Sequence, residues 1–417
     1  MRVLIVTAGS RGDVTPYTGL GVRLRAAGHR VAVAAQPPFA ALVTGCGLEF
    51  RPLPGDLHAL QTSAAGRRLH RSGPSARGVL EFLRLGGRFV RGLGDGIVAA
   101  TERGADLLLL STTTAALGIS VAEGFGIPSM GVFLQPIEPT RAFPPLLLGA
   151  RSLGGWGNLA AGSLGRAVGR GIYAGASRRL RARLDLGPTR LAALDRRSAA
   201  ARWPVLHGFS PAVVPRPVDW RPDLDVVGYW WPARHPWFPP PELLDFLAAG
   251  PPPVYFGFGS MVGESERLIG LIGPVLRRAG LRGVVQAGSA GLDAIQTVDD
   301  ELITIGDTPH DWLFPRMAAL VHHAGGGTTA AGLRAGVPAV PVPMLGDQPF
   351  WAARLLLHGV APDRIPPRAL GVARLAEALR AAVTEPGYAH RARTLARRMA
   401  DEDGAGAVLR AVERLAG

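Results

Sequence analysis

The chain of 417 residues contains no lysine, so all 46 of its basic residues are arginines. That one absence removes a phosphate-loop lysine, a Schiff-base lysine and a kinase lysine from consideration. Cysteine is nearly absent as well. Cys46 stands alone, so no intramolecular disulfide can form, and a reducing cytoplasm is the expected setting. No stretch offers about 18 uninterrupted apolar residues, so no membrane-spanning helix is expected. The opening apolar run is too short for a secretory core, and no small-residue cleavage site follows it.

What is present describes a folded chain. Hydrophobic residues make up 47% and charged residues 19%, unlike a disordered chain. The length suggests two domains of roughly 200 residues each. The net charge is +14. It is carried by arginine in a chain rich in alanine, glycine and proline, a bias that points to a GC-rich coding sequence and weakens a functional reading of total charge. The basic runs RRLHR (67–71) and SRRLRAR (177–183) lack aromatics at base-stacking spacing. They read as solvated helix faces, and no nucleic-acid partner is expected.

The first residues read strand, glycine turn, helix, strand. Arg2–Ala8 is an apolar run, Gly9-Ser10-Arg11-Gly12-Asp13 a turn, Thr15–Ala27 a helix and Arg30–Ala35 a second strand. Further strands are expected at Asp106–Ser111 and Ser129–Leu134, and a long helix at Leu159–Leu184. The second half repeats the layout. Strands are expected at Pro253–Phe258, Gly283–Ala287, Leu302–Ile305, Ala319–His322 and Ala339–Val342, with helices over 264–279, from Gly327, after Gln348, and over 372–384 and 389–416. The expected fold is α/β, with two Rossmann-like domains facing across a cleft. The proline-rich stretch suggests these divisions: N-terminal domain 1–215, linker 216–235, C-terminal domain 236–388, and closing helices 389–417 packing back on the N-terminal domain.

Residues 322–329, HHAGGGTT, raise the sharpest chemical question. A metal site is a poor fit, because consecutive strand residues point to opposite faces and no third ligand lies nearby. A strand end, close-approach glycines and a helix start do form an anion site, since free N–H groups and the helix dipole face outward there. A tight packing turn fits those residues equally well. Asp13 has two readings too: a helix cap by position, or an acceptor of a proton. His207 reads as a linker histidine with its polar atoms satisfied, and His310 and Trp312 as helix-start and packing residues. Asp223-Leu224-Asp225 formally spells D-x-D, but in a proline-rich segment it reads as chance and not as a metal motif.

The neighbourhood changes the weighting. TPHDWLFPRMAALVHHAGGGTTAAGLRAGVPAVPVPMLGDQPFWAARL (308–355) resembles the donor-binding segment of nucleotide-sugar-dependent glycosyltransferases of the GT-B architecture. GSRGDVTPY (9–17) resembles the opening turn of the branch that holds bacterial natural-product enzymes and sterol glucosyltransferases, with a family-28-like N-terminal domain. VYFGFGSM (254–261) resembles the first turn of its C-terminal domain. The resemblance implies an inverting enzyme that moves a hexose or deoxyhexose from a UDP- or dTDP-sugar to a hydroxyl of a lipophilic acceptor.

On that resemblance, Asp13 is the base. Ser10, Arg11, Gly12, Ser260, His323, Gly325, Gly326, Gly327 and Thr328 hold the donor diphosphate. Asp347 and Gln348 hold sugar hydroxyls, and Thr308 and Pro309 lie beside the nucleobase and ribose. Two positions depart from related plant-type enzymes: Asp307 stands where they place a tryptophan under the base, and Ala331 where a glutamate binds ribose. The nucleotide sugar is a co-substrate, and no cofactor or metal is expected. Peripheral contact with a membrane at its cytoplasmic face is left open, as is oligomeric state. The alternatives are a nucleotide-sugar epimerase and a non-catalytic nucleotide-sugar-binding auxiliary protein. A dinucleotide-dependent oxidoreductase fits less well, because Gln36 stands where an acidic ribose ligand would be and GSRGD is not G-x-G-x-x-G.

Overall fold

The computed structural model describes residues 1–55, 84–146, 149, 151–234, 236–257, 265–286, 296–344 and 346–416. Its first strand, β1 (Arg2–Val6), shows why the opening run is apolar throughout. Leu4 and Val6 point into one core, Val3 and Ile5 into another, and all four are buried. A strand covered on both faces has no polar side to spare.

The N-terminal sheet continues with β2 (Arg30–Ala35), β3 (Glu49–Pro52), β4 (Leu107–Leu110), β5 (Ser129–Phe133), β6 (Val205–His207) and β7 (Leu224–Val226). Its spatial order is β3-β2-β1-β4-β5-β6-β7, with every pairing parallel. The C-terminal sheet holds β8 (Val254–Gly257), β9 (Gly283–Gln286), β10 (Gln296–Asp299), β11 (Leu302–Ile305), β12 (Ala319–His322) and β13 (Ala339–Pro341). Its order is β10-β11-β9-β8-β12-β13, parallel except where β10 meets β11. Each sheet reverses its winding once, between β1 and β4 and between β8 and β12. Ligands of such sheets bind beyond the carboxyl ends of the strands at that reversal. The turn after β1 and the turn after β12 both lie there.

The chain passes from one domain to the other later than the prolines suggest. The expected linker, 216–235, contains β7 and the buried Trp220 and Trp230. Arg216 knits this segment by donating to the carbonyls of Leu224 and Arg221 at 2.7 Å and of Trp220 at 3.1 Å. Prolines forbid ladder donation, but here they flank a short edge strand. The closing helices also divide differently. The helix Pro386–Ala400 packs on the helix Gly326–Ala335, so the expected division at 388/389 falls inside a helix of the C-terminal domain. The helix Gly404–Ala416 does return to the N-terminal domain. Its Val408, Ala411 and Val412 share a core with Val14, Tyr17, Leu20 and Leu24 of the helix Arg11–Ala26.

Aromatic packing joins the two domains. Phe143 meets Phe350 edge-on at 5.4 Å between centroids, and Phe209 meets Trp351 at 6.0 Å. His358 Nε2 donates to the Val213 carbonyl at 2.8 Å.

Candidate active site

After β1 the chain turns through Gly9, at a φ of 151° that L side chains rarely adopt. A Cβ built on Gly9 would lie 2.4 Å from Asp13 Oδ2, so both the backbone and the carboxylate exclude a larger residue. Ser10 caps the helix Arg11–Ala26, and Asp13 stands in its first turn. The cap reading of Asp13 thus shifts by three residues. The Ser10 N–H and hydroxyl each donate to Asp13 Oδ2 at 2.8 Å. Gln135 Nε2 donates to Oδ1 at 3.2 Å, and Gln135 Oε1 accepts from Thr112 Oγ1 at 2.9 Å. Among the described residues Oδ1 accepts only that bond, which leaves it acceptor capacity. Burial raises the Asp13 pKa, while the bonds from Ser10 and Gln135 oppose the rise. A carboxylate raised in this way is a stronger proton acceptor than a free aspartate.

Ser10, Arg11 and Gly12 lie exposed on the rim of this turn. Arg11 reaches across to the other domain, where it pairs with Asp307 at 2.6 Å, both side chains being more than half exposed. Gln286 Nε2 approaches the same carboxylate at 3.4 Å.

The turn after β12 separates the two histidines. His322 is fully buried, its Nδ1 accepts from the Ala324 N–H at 3.0 Å, and burial holds its pKa down to about 3. It is a neutral sheet residue. His323 is partly exposed. Its pKa is lowered by burial, against the neighbouring Gly257 backbone, so it too is neutral near pH 7. Its Nδ1 is buried with no hydrogen-bond partner among the described residues. Ala324 takes a left-handed φ of 61° to make the turn.

Two of the three glycines are closely packed and the third is not. A Cβ on Gly325 would sit 2.6 Å from His323 Nε2, and one on Gly326 3.1 Å from Trp351 Nε1. Gly327 is exposed and faces open space. The helix Gly326–Ala335 starts here with Gly325 as its cap, and Thr328 lies in its first turn. Bare backbone N–H groups at a helix start suit an anion.

Asp347 caps the next helix, Gln348–Leu357. Its Oδ2 accepts from Trp351 Nε1 at 2.8 Å, so Trp351 ties this acid to the glycine turn that its ring covers. Burial raises the Asp347 pKa to about 6, and the charge of Asp13 adds to the rise. The two carboxylates come from opposite domains and lie near enough for the charge of one to act on the other. Gln348 Oε1 accepts from the Met344 N–H at 2.8 Å and shapes the turn before the helix. Thr308 is buried, with Oγ1 donating to the Gly306 carbonyl at 3.3 Å, and Pro309 caps the short helix His310–Leu313. His310 stacks on Phe314 at 4.2 Å and feels the charges of Asp307, Arg11 and His323, which puts this stretch beside the glycine turn. Ser260 lies outside the described residues.

Several other expectations resolve here. His207 is a strand residue and not a linker one. It stacks on Trp220, its Nδ1 bonds to the Asp225 carbonyl at 2.9 Å, and its Nε2 is left without a partner among the described residues. Asp223 is engaged by Arg202 and Arg221. RRLHR lies outside the described residues. SRRLRAR is only partly a solvated face, because Arg181 is buried and paired with Glu123 at 2.6 Å. Gln135, Thr112, Gln286 and Trp351 were missed by sequence reading. The first three stand at or just past the carboxyl ends of parallel strands, a positional signal that could have found them.

Two parallel-sheet α/β domains, each with a glycine turn starting a helix at its sheet reversal, define the GT-B class. The glycosyltransferase SsfS6 of Streptomyces sp. SF2575, solved in complex with thymidine diphosphate, has the same fold. It superposes with a TM-score of 0.67 at 24% identity, over 99% of both chains. The glycosyltransferase family 28 N-terminal domain matches residues 3–144, and the erythromycin biosynthesis protein CIII-like C-terminal domain matches residues 284–415. The O-mycaminosyltylonolide 6-deoxyallosyltransferase of Streptomyces fradiae is 36% identical over 97% of this chain and 95% of its own length. Sterol 3-beta-glucosyltransferase UGT80A2 of Arabidopsis thaliana is 34% identical over 98% of this chain, which spans 64% of that longer protein. The chain belongs to this family of glycosyltransferases. No helix among the described residues is long and apolar enough to cross a membrane.

Proposed function

We propose that the protein is an inverting glycosyltransferase that moves a hexose or deoxyhexose from a UDP- or dTDP-sugar to a hydroxyl of a lipophilic acceptor. The observation that carries this reading is Asp13, held by Ser10 and Gln135 with acceptor capacity left on Oδ1, at one sheet reversal, and the glycine-started helix with no acid in its first turn at the other. In the reaction, the acceptor oxygen attacks the anomeric carbon from the face opposite the leaving group. Its proton passes to Asp13 Oδ1. The bond from the anomeric carbon to the phosphate oxygen breaks, and the negative charge leaves on the diphosphate. Backbone N–H groups at 326–328 and the His323 ring receive that charge as fixed dipoles, which can take the place of a metal ion. Asp347 and Gln348 hold sugar hydroxyls, and Thr308 and Pro309 flank the nucleobase. Arg11 exchanges Asp307 for donor oxygens when the donor enters.

Relatives named for a sterol and for O-mycaminosyltylonolide support a lipophilic acceptor, and the thymidine diphosphate of SsfS6 supports a nucleotide donor. The single cysteine suits a cytoplasmic enzyme. A thermal-shift panel of UDP, dTDP and their sugars tests the donor, followed by mass spectrometry with polyketide, phenolic and sterol acceptors, with and without EDTA. A sugar-mass adduct formed equally in EDTA is expected, with an anomeric configuration opposite to the donor's by proton NMR. Donor conversion without acceptor would point to an epimerase, and binding without any product to an auxiliary protein.

A further inference from the structure

The N-terminal domain carries a cavity that shares no residue with the cleft turns. It has a volume of about 690 Å³ and lies between two helical faces. Arg84, Arg88 and Arg91 follow the i, i+4, i+7 spacing, so they share one side of the helical stretch 84–90 and the residue after it. Opposite them, Gly171, Ile172, Gly175 and Ala176 share a side of the helix Gly154–Arg183, with Arg179 a turn further on. The space exists because side chains are missing: a Cβ on Gly87, Gly171 or Gly175 would meet nothing within 4 Å. The walls are backbone, Ile172 and Ala176, and the rim carries four guanidinium groups.

Four other arginines of the long helix are held by carboxylates. Arg166 and Arg170 pair with Asp195, Arg181 with Glu123 and Arg183 with Asp95. Among the described residues no carboxylate pairs with Arg84, Arg88, Arg91 or Arg179. Four like charges around one space repel one another, and an anion entering it relieves that repulsion. Guanidinium forks match two oxygens of a phosphate or carboxylate at a time. The volume falls within the usual range of small-molecule sites. The same helix also touches the segment after β4, since the Tyr173 hydroxyl donates to the Thr113 carbonyl at 2.9 Å.

We propose that this cavity binds an anionic group, phosphate or carboxylate, carried by an amphiphile whose apolar part lies on Ile172 and Ala176. The site is separate from the diphosphate site and does not rest on the transfer reaction. Calorimetry with dodecyl phosphate below its micelle concentration, and with neutral dodecyl maltoside as control, tests it on the full chain. Dodecyl phosphate binds the wild type and the maltoside does not. Arg88→Gln/Arg91→Gln weakens the phosphate about tenfold or more, as expected for lost charge-assisted bonds. Arg179→Gln, on the opposite wall, weakens it independently. UDP and dTDP binding stays unchanged in both variants, which shows that they fold. Vesicles of phosphatidylglycerol in phosphatidylcholine then separate the sources. Arginine-dependent capture by the vesicles identifies a lipid headgroup. Dodecyl phosphate binding without capture identifies a soluble acceptor or metabolite. Failure of both probes to bind, or equal binding by the variants, overturns the site.

Discussion

The chain leaves β1 and β12 by turns of the same plan and opposite chemistry. Each follows a buried parallel strand, passes through glycine and starts a helix at the reversal of its sheet. The first turn sets an acid in the helix's opening positions, and Ser10 and Gln135 hold it. The second has no acid. It offers neutral His323, bare glycines and an uncompensated helix start. In the proposed reaction one end takes a proton and the other takes negative charge. In that proposal a shared fold unit is divided between two halves of one reaction by a few residues at the helix starts, which is where backbone dipoles and side chains both act at short range.

The comparison breaks most readily at Asp13. Asp13→Asn should lower kcat about 10²–10⁴-fold while UDP and dTDP bind as before, measured by steady-state transfer and calorimetry. Wild-type turnover would remove Asp13 from the chemistry. A smaller effect is expected at Asp347, through pH. Its folded pKa, about 6, lies above the ordinary 3.8, so the unfolded chain loses this proton first as pH rises. The wild type should therefore lose stability relative to Asp347→Asn between about pH 4 and 6, by at most about 3 kcal/mol, and hold level above that. In an Asp13→Asn background the folded midpoint should move down. Urea unfolding across pH reads both, and a difference independent of pH would show that Asp347 is not buried beside Asp13.

On the other turn, His323→Ala should weaken nucleotide diphosphate binding about threefold to tenfold by calorimetry, the value of a neutral hydrogen bond. Unchanged affinity would end its phosphate role. The smallest effect is expected at the bridge between the turns. Arg11 and Asp307 are well exposed, so Asp307→Ala should change unfolding stability by less than about 1 kcal/mol, and less still in high salt. A larger loss would mean that the bridge holds the domains together.

Much of this architecture was legible in the residue order. β1, β2, β11 and β12 are apolar runs bounded by glycine or polar turns, and they fall within two residues of where periodicity sets them. β6 and β7 were not legible. Short strands among prolines look like linker until Arg216 and the buried tryptophans are seen to hold them. The site divides the same way. GSRGD and HHAGGGTT stand out because glycine beside a functional group is a local pattern. Gln135 and Trp351 are ordinary residues made important by what the fold sets beside them.

The sequence by itself determined the two parallel-sheet units, their glycine turns and the residue types available at each helix start, because strand and helix periods and glycine's backbone freedom act over a few neighbours. Only the tertiary structure decided that Asp13 is held by Gln135 and that Asp347 feels Asp13 from the other domain. Burial and charge repulsion depend on distance in space, and the groups that supply them lie far apart along the chain.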